Sequence, residues 1–167
     1  RQAQVLFARR DLRVSVLRGN VDTRLAKLEA GEADATFLAL AGLKRIGLED
    51  RAASLVDPFQ SPPAACQGAI AITALTDDAR VRDALAQCEN VNARIEIEAE
   101  RAFLDALDGS CRTPIGALAR VNGAQMSFIG ETLRPDGAQR WRRNATISLD
   151  GDAIAFAQAL GAKLGHE

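Results

Sequence analysis

The chain has 167 residues, 47% of them hydrophobic and 26% charged, which suits one globular core or two small ones. Three cysteines at irregular spacing argue against a disulfide scaffold and for a reducing compartment, and a single histidine, His166, argues against a His-ligated metal site or a Ser-His-Asp triad. The net charge of −1 is small, there is no Tyr, and no basic cluster is interleaved with aromatics, which disfavours nucleic acid; no apolar run approaches the roughly 20 residues that cross a bilayer.

That net charge conceals an asymmetry. Residues 1–62 hold ten Lys/Arg against eight Asp/Glu, leaving −3 for the remainder. Arginine supplies eight of those ten cations (Arg1, Arg9, Arg10, Arg13, Arg18, Arg24, Arg45 and Arg51), and its planar fork suits carboxylate or phosphate better than lysine does. On composition alone, a solvated face laced with ion pairs is the favoured account of this excess.

The chain starts Arg1-Gln2-Ala3-Gln4-Val5-Leu6, with neither an initiator methionine nor a signal-peptide pattern, and reads as a helix continuing from upstream. A fragment of a longer protein is therefore expected. Leu12 to Leu17 alternates with β-branched residues and predicts a strand that ends at Arg18-Gly19-Asn20. Val21, Leu25 and Leu28 then mark a helix stopped by Gly31. Strand, glycine turn and helix N-terminus form an arrangement that offers free N–H groups to an anion. Arg18 on the turn and Arg24 off the apolar stripe are candidates for the same anion, or simply two exposed charges. Ala33 to Leu38 predicts a second strand and Leu40 to Ile46 a helix ending at Gly47, which together imply a parallel α/β layer. Lys44 and Arg45 fall in the last turn of that helix, where they complement its dipole or face the same crevice as Arg18.

Asp57 to Pro63 is a proline-rich crossing and a predicted domain boundary. Ala69 to Thr73 predicts a short strand, and Asp78 the cap of a helix with Val81, Ala84, Leu85 and Cys88 on its core face. Cys66, before a glycine, is assigned to packing ahead of reactivity. Asn90 or Asn92 starts a helix carrying Ile95, Ala99, Ala102, Phe103, Ala106 and Leu107 on one face, ending at Asp108-Gly109. Strands follow over 116–121, 125–133 and 139–149, with Asn122-Gly123 and Arg134-Pro135-Asp136-Gly137 as turns. Ala153, Ala157, Leu160 and Leu164 then mark a closing helix. This last third predicts an α+β unit, a three-stranded antiparallel sheet covered by two helices.

Between the long helix and the sheet lies Asp108-Gly109-Ser110-Cys111-Arg112-Thr113-Pro114-Ile115-Gly116. Glycines flank the cysteine and a proline fixes the exit, so the loop displays a sulfur. As a nucleophile or redox sensor Cys111 would gain from Arg112, which lowers a thiol pKa, but no base or resolving cysteine stands at obvious spacing.

Several stretches resemble the porphobilinogen deaminase (hydroxymethylbilane synthase) family. Leu17-Arg18-Gly19-Asn20-Val21-Asp22-Thr23-Arg24-Leu25 is similar to its LRGNVxTRL motif, and Ala39 to Gly47 to its AxAGLKRLG segment. Gln67-Gly68-Ala69 resembles the end of VGQGA, Glu100 to Leu104 the ERAFL helix, and Gly109 to Gly116 the GGCxxPIG loop. Ser110 stands where that loop has glycine, and Cys66 where the VGQGA glycine would be.

The resemblance implies a periplasmic-binding-protein-like α/β fold of type II for the first part, followed by a small α+β domain. Residues 1–62 would be part of domain 2. Residues 63–89 would be a crossing strand and helix of domain 1, and 90–167 domain 3, which carries the cofactor. It implies a dipyrromethane cofactor on Cys111 through a thioether. Arg1, Arg18, Arg24 and Arg45 match positions that bind the acetates and propionates of the pyrroles, with Gly19 in the same motif. Four porphobilinogen units would be condensed with loss of ammonia to give hydroxymethylbilane, in the cytoplasm, by a full-length monomer. The catalytic aspartate belongs to the upstream part, so no catalytic residue and no metal are expected here, and this chain alone is expected to be inactive. The competing readings are a non-catalytic anion or solute-binding module, which leaves Cys111 without a task, and the thiol enzyme.

Overall fold

The computed structural model describes residues 1–109 and 113–166. They divide into two compact units, one made of Arg1–Leu12 with Asp57 onward, the other of Arg13–Val56.

The larger unit is built on helix α5 (Val91–Ala106), strands β1 (Ile115–Asn122), β2 (Gln125–Leu133) and β3 (Arg140–Ser148), and helix α6 (Ala153–His166). The sheet is antiparallel in the order β1-β2-β3. Asn122 pairs with Gln125, so the tight loop is Gly123-Ala124, one residue later than the Asn-Gly signal suggests; Gly123 takes a φ of 58°, which suits glycine. The three strands and both helices form where the periodicity predicts.

One sheet face carries the main core. Ala117, Ala119, Met126 and Phe128 lie under Ile95, Ala99 and Phe103 of α5 and Ala157, Leu160 and Leu164 of α6. Phe103 meets Phe128 edge to face, with ring centroids 5.4 Å apart; burying one such ring contributes about 2–3 kcal/mol. Small residues set the helix spacing. A Cβ on Gly161 would collide with the Ala99 carbonyl, and one on Gly165 would come within 2.6 Å of Ala106 Cβ. Gly130 of β2 leaves room for the Phe103 ring in the same way.

Within this unit, the opposite face is covered near one end. There α1 (Gln2–Ala8) and the 57–63 crossing pack over β1 and β2, burying Ala3, Pro62, Leu118, Glu131 and Leu133. This second cover explains why five consecutive residues of β1 are buried. The β2–β3 turn docks on α1: a Cβ on Gly137 would come within 2.6 Å of the Phe7 nitrogen, and Arg140 stacks 4.5 Å from the Phe7 ring centroid.

In the same unit, Asp78 caps α4 (Ala79–Ala86) by accepting from Val81 N at 3.0 Å. No residue of α4 is buried, and Cys88 lies beyond the helix end and is exposed, contrary to the core position its spacing suggests. Residues 69–73 form no strand, and Ile70 and Ile72 are exposed.

The smaller unit contains α2 (Val21–Glu29), α3 (Leu40–Arg45) and a single 3-10 turn over Glu49–Arg51, with Leu25 and Leu43 buried. Both helices form as expected, and Gly31 and Gly47 follow them at φ of 75° and 70°. The predicted strands at 12–17 and 33–38 are not part of any sheet. A strand is stabilised by hydrogen bonds to a neighbour, and neither stretch finds one among the described residues. Val16 and Phe37 are exposed as a result.

Candidate functional site

Four arginines and one glycine carry the predicted anion-binding role, and three of the arginines lie in the smaller unit. Asn20 caps α2, accepting from Thr23 N at 2.8 Å and from the Thr23 hydroxyl at 2.7 Å. This cap fixes the Leu17-Arg18-Gly19 turn against the helix. Gly19 has φ 132°, and a Cβ there would lie 2.7 Å from the Thr23 side chain, so glycine is required on both counts. Its carbonyl accepts from Arg24 Nε at 2.8 Å. Arg24 is thereby aimed while its two terminal amino groups hydrogen-bond to nothing among the described residues. Arg18 and Arg45 are exposed and have no ion pair or hydrogen bond among the described residues. The ion pairs of this unit, Arg51–Glu29 and Lys27–Glu32, use other cations.

Arg1 belongs to the larger unit. Its Nη1 donates to Gln4 Oε1 at 3.0 Å, Ser61 Oγ at 3.0 Å and the Ser61 carbonyl at 3.1 Å. Gln4 in turn donates to the Pro62 carbonyl at 2.9 Å and to Glu131 Oε1 at 2.7 Å. The other Glu131 oxygen accepts from Arg142 Nη1 at 3.4 Å, and Arg142 also donates to the carbonyls of Phe59 and Gln60.

Two further carboxylates that periodicity did not single out organise this unit. β1 is an edge strand, and its outward N–H groups all find acceptors: Pro63 O takes Ala117 N at 2.8 Å, Glu100 takes Ala119 N at 2.9 Å and Glu96 takes Val121 N at 2.9 Å. Four residues along a helix and two along a strand advance by about 6 Å each, which lets the two carboxylates serve alternate strand positions. Glu100 also accepts from Cys66 N at 2.7 Å, tying the Gln67-Gly68 turn to the same strand. Burial pushes the Glu100 carboxyl up and its two backbone hydrogen bonds oppose that. Burial and the Glu100 charge push the Cys66 thiol up as well, which disfavours thiolate and fits packing.

Cys111, with Ser110 and Arg112, lies outside the described residues. The chain on either side is firmly held. Gly109 N donates to Leu104 O at 3.0 Å and Asp108 N to Asp105 O at 3.0 Å, closing α5 with Asp108 in the left-handed region at φ 47°. On the other side Leu133 N donates to Pro114 O at 3.0 Å, fixing the exit to the sheet. A Cβ on Gly109 would lie 2.6 Å from Ile115 Cδ1, so these two ends approach closely.

Among the described residues no cluster of His, Cys, Asp or Glu could hold a metal ion, and no helix is long and apolar enough to cross a membrane. Guanidinium groups with unengaged donors suit a ligand bearing several carboxylates.

Two family models match the chain. Residues 1–83 match the porphobilinogen deaminase dipyromethane cofactor binding domain, and residues 94–167 match the porphobilinogen deaminase C-terminal domain. Three curated proteins, each named porphobilinogen deaminase, are similar over essentially all of this chain. The Nitrobacter hamburgensis protein is 50% identical over 167 residues, covering 100% of this chain and 51% of that protein. The Caulobacter vibrioides protein is 52% identical over 170 residues, covering 100% and 52%, and the Nitrobacter winogradskyi protein 48% identical over 167, covering 100% and 51%. The chain thus spans about half the length of the curated relatives it matches. With both domain models matched in order and the motif arginines built as described, the chain belongs to the porphobilinogen deaminase family.

Proposed function

We propose that the complete protein is a porphobilinogen deaminase, or hydroxymethylbilane synthase. It joins four porphobilinogen molecules head to tail into the linear tetrapyrrole hydroxymethylbilane, releasing ammonia, in porphyrin (haem) biosynthesis. The observation that carries the reading is the pair of family matches, which between them contain Arg1, Arg18, Gly19, Arg24, Arg45 and Cys111. Residues 1–62 are part of the family's second domain, 63–89 a crossing segment and helix of its first, and 90–167 its third.

Cys111 holds a dipyrromethane cofactor through a thioether. When bound, dipyrromethane supplies the pyrrole end to which the first substrate is joined. The residues of this chain bind and orient. Porphobilinogen carries an acetate and a propionate, so every unit added brings two carboxylates that need cationic partners. Arg24, held by Gly19 at Nε, keeps its terminal amino groups for one of them. Arg18 and Arg45 are exposed and, among the described residues, unpaired for others, and Arg1 presents a guanidinium fixed along one edge by Gln4 and Ser61. Preset forks of this kind position a substrate at little entropic cost. No carboxylate of this chain is given the catalytic role. The setting is the cytoplasm and the full-length protein a monomer acting on a small molecule, with neither nucleic acid nor membrane as partner.

Intact-mass measurement of the full-length protein tests the reading. Two pyrrole units are expected on the wild type and none on Cys111→Ser. A bare thiol on full-length protein competent to fold would overturn it, and reversible carboxylate binding by that bare protein would favour the solute-binding alternative. Tetrapyrrole formation is expected from the full-length protein and not from residues 1–167 alone.

A further inference from the structure

We propose that Glu131 is a positioning residue for Arg1: a buried carboxylate that, through Gln4, turns the free edge of the Arg1 guanidinium outward to take a substrate carboxylate. The inference rests on the carboxylate-binding role given to Arg1 above and adds what sets its geometry.

Glu131 is 2% exposed, on the sheet face covered by α1 and the 57–63 crossing. A carboxylate buried so fully must be met by donors. Among the described residues it has two, Gln4 Nε2 at 2.7 Å and Arg142 Nη1 at 3.4 Å. Arg142 sits directly across the strand pair from Glu131.

The polarity of Gln4 follows from its neighbours. Ionised Glu131 only accepts, and so does the Pro62 carbonyl at 2.9 Å, so the Gln4 amide must direct both N–H groups toward them. Its oxygen is left for one partner, Arg1 Nη1 at 3.0 Å. Ser61 takes the same nitrogen from the other side, through its hydroxyl and its carbonyl. The Ser61 position is itself held by Arg142, which grips the carbonyls of Phe59 and Gln60. Glu131 therefore acts on Arg1 twice, through Gln4 and through the crossing that Arg142 pins.

All three acceptors sit on Nη1. The Nε and Nη2 edge, the side that forks onto a carboxylate, is unengaged among the described residues. Glu131 also supports the charge: burial lowers the basicity of Arg1, and the Glu131 carboxylate works against that loss. Sequence pattern conceals this role, because Glu131 occupies an alternating strand position that ordinarily faces solvent.

A double-mutant cycle in the full-length protein tests the proposal, using Glu131→Leu, Gln4→Met, Arg1→Gln and the pair Arg1→Gln with Glu131→Leu. The readouts are KM and kcat for porphobilinogen, the porphobilinogen concentration that half-protects against thermal unfolding, and the unfolding midpoint without ligand. Glu131→Leu is expected to raise KM and the half-protecting concentration about five-fold or more with kcat changed less than about two-fold. Gln4→Met should reproduce that loss, and in the Arg1→Gln background Glu131→Leu should add nothing to it while still lowering the unfolding midpoint. An equal KM effect in both backgrounds, or a lowered midpoint with KM unchanged, overturns the proposal. If Arg1→Gln alone leaves KM and protection at wild-type values, the carboxylate-binding role of Arg1 fails and takes this inference with it. Should Glu131→Leu not fold, Glu131→Gln replaces it, since it keeps the shape but lets Gln4 flip; the same two-background comparison then decides.

Discussion

Oε2 of Glu100 accepts the backbone N–H of Cys66 at 2.7 Å, while Oε1 takes that of Ala119 at 2.9 Å. One carboxylate on α5 thus joins the turn before Gln67-Gly68 to the outer edge of β1. Ala119 is fully buried, so its N–H has no access to water if the acceptor is lost. Glu100→Ala should cost about 2–4 kcal/mol in urea unfolding, the penalty of two orphaned donors. Glu100→Gln should cost less, about 1–2 kcal/mol, because one oxygen remains while its NH2 faces a donor. A smaller effect for alanine than for glutamine would disprove the two-acceptor account.

The same residue gives a pH dependence with a definite sign. Burial raises the Glu100 carboxyl above its ordinary value, against the pull of its backbone hydrogen bonds and of Arg120, and with a smaller push from Glu96. The folded protein then keeps this proton to a higher pH than the unfolded chain does. Its contribution to stability is fully present below the unfolded carboxylate value and is lost as pH rises through the folded value. Urea midpoints taken from about pH 4 to about pH 7 should show a downward component in the wild type that Glu100→Gln lacks. Asp11 contributes oppositely: Arg9 holds it down to about 2, so its share is lost as pH falls, equally in both proteins.

Periodicity located α5, the three strands and α6 because each of these elements buries one face within this chain. Ile95, Ala99 and Phe103 on α5 recur at helical spacing, and Met126 and Phe128 on β2 alternate. The same rule misplaced 12–17, 33–38 and 69–73. Leu12 to Leu17 does alternate, but a sheet needs a partner strand, and Ile70 at 91% exposed has none among the described residues. Cys88 was misjudged because no residue of α4 is fully buried and Cys88 lies beyond the end of that helix. At the site, Arg18, Gly19 and Arg24 were legible from one turn of chain. The Arg1, Gln4 and Glu131 connection spans 130 residues of sequence and leaves no local signal.

Cys66 stands where the family motif has glycine, and its φ of 59° lies in the region that glycine favours. A side chain held there costs about 1–2 kcal/mol of backbone strain. The thiol recovers little, its hydrogen bond among the described residues being a 3.8 Å contact to the Ile97 carbonyl. Cys66→Gly should therefore leave stability unchanged or raise it by up to about 1 kcal/mol, whereas Cys66→Val, branched at Cβ, should lower it by about 2 kcal/mol. Calorimetric melting of the three proteins checks the order, and a valine variant as stable as wild type would contradict the left-handed backbone.

At Gly161, α6 lies tight against α5, and the Ala99 carbonyl occupies the space a methyl group would need. The three nearest atoms, the Ala99 oxygen and carbon and the Phe103 nitrogen, are all backbone, so no rotamer change relieves the clash and the helices must separate. That separation would open the core over Phe103, Ala157 and Leu164. Gly161→Ala should cost about 3 kcal/mol or more, well above the usual gain of alanine over glycine in a helix. Gly68 offers the control: nothing lies within 4 Å of a Cβ there, and Gly68→Ala should change stability by less than about 0.5 kcal/mol. Gly151 separates sterics from backbone conformation, since its φ of 73° strains alanine although the nearest atom is 4.0 Å away. Gly151→Ala should fall between the two, near 1 kcal/mol, and that ranking in denaturant midpoints would tie the stability of the unit to the approach of α5 and α6.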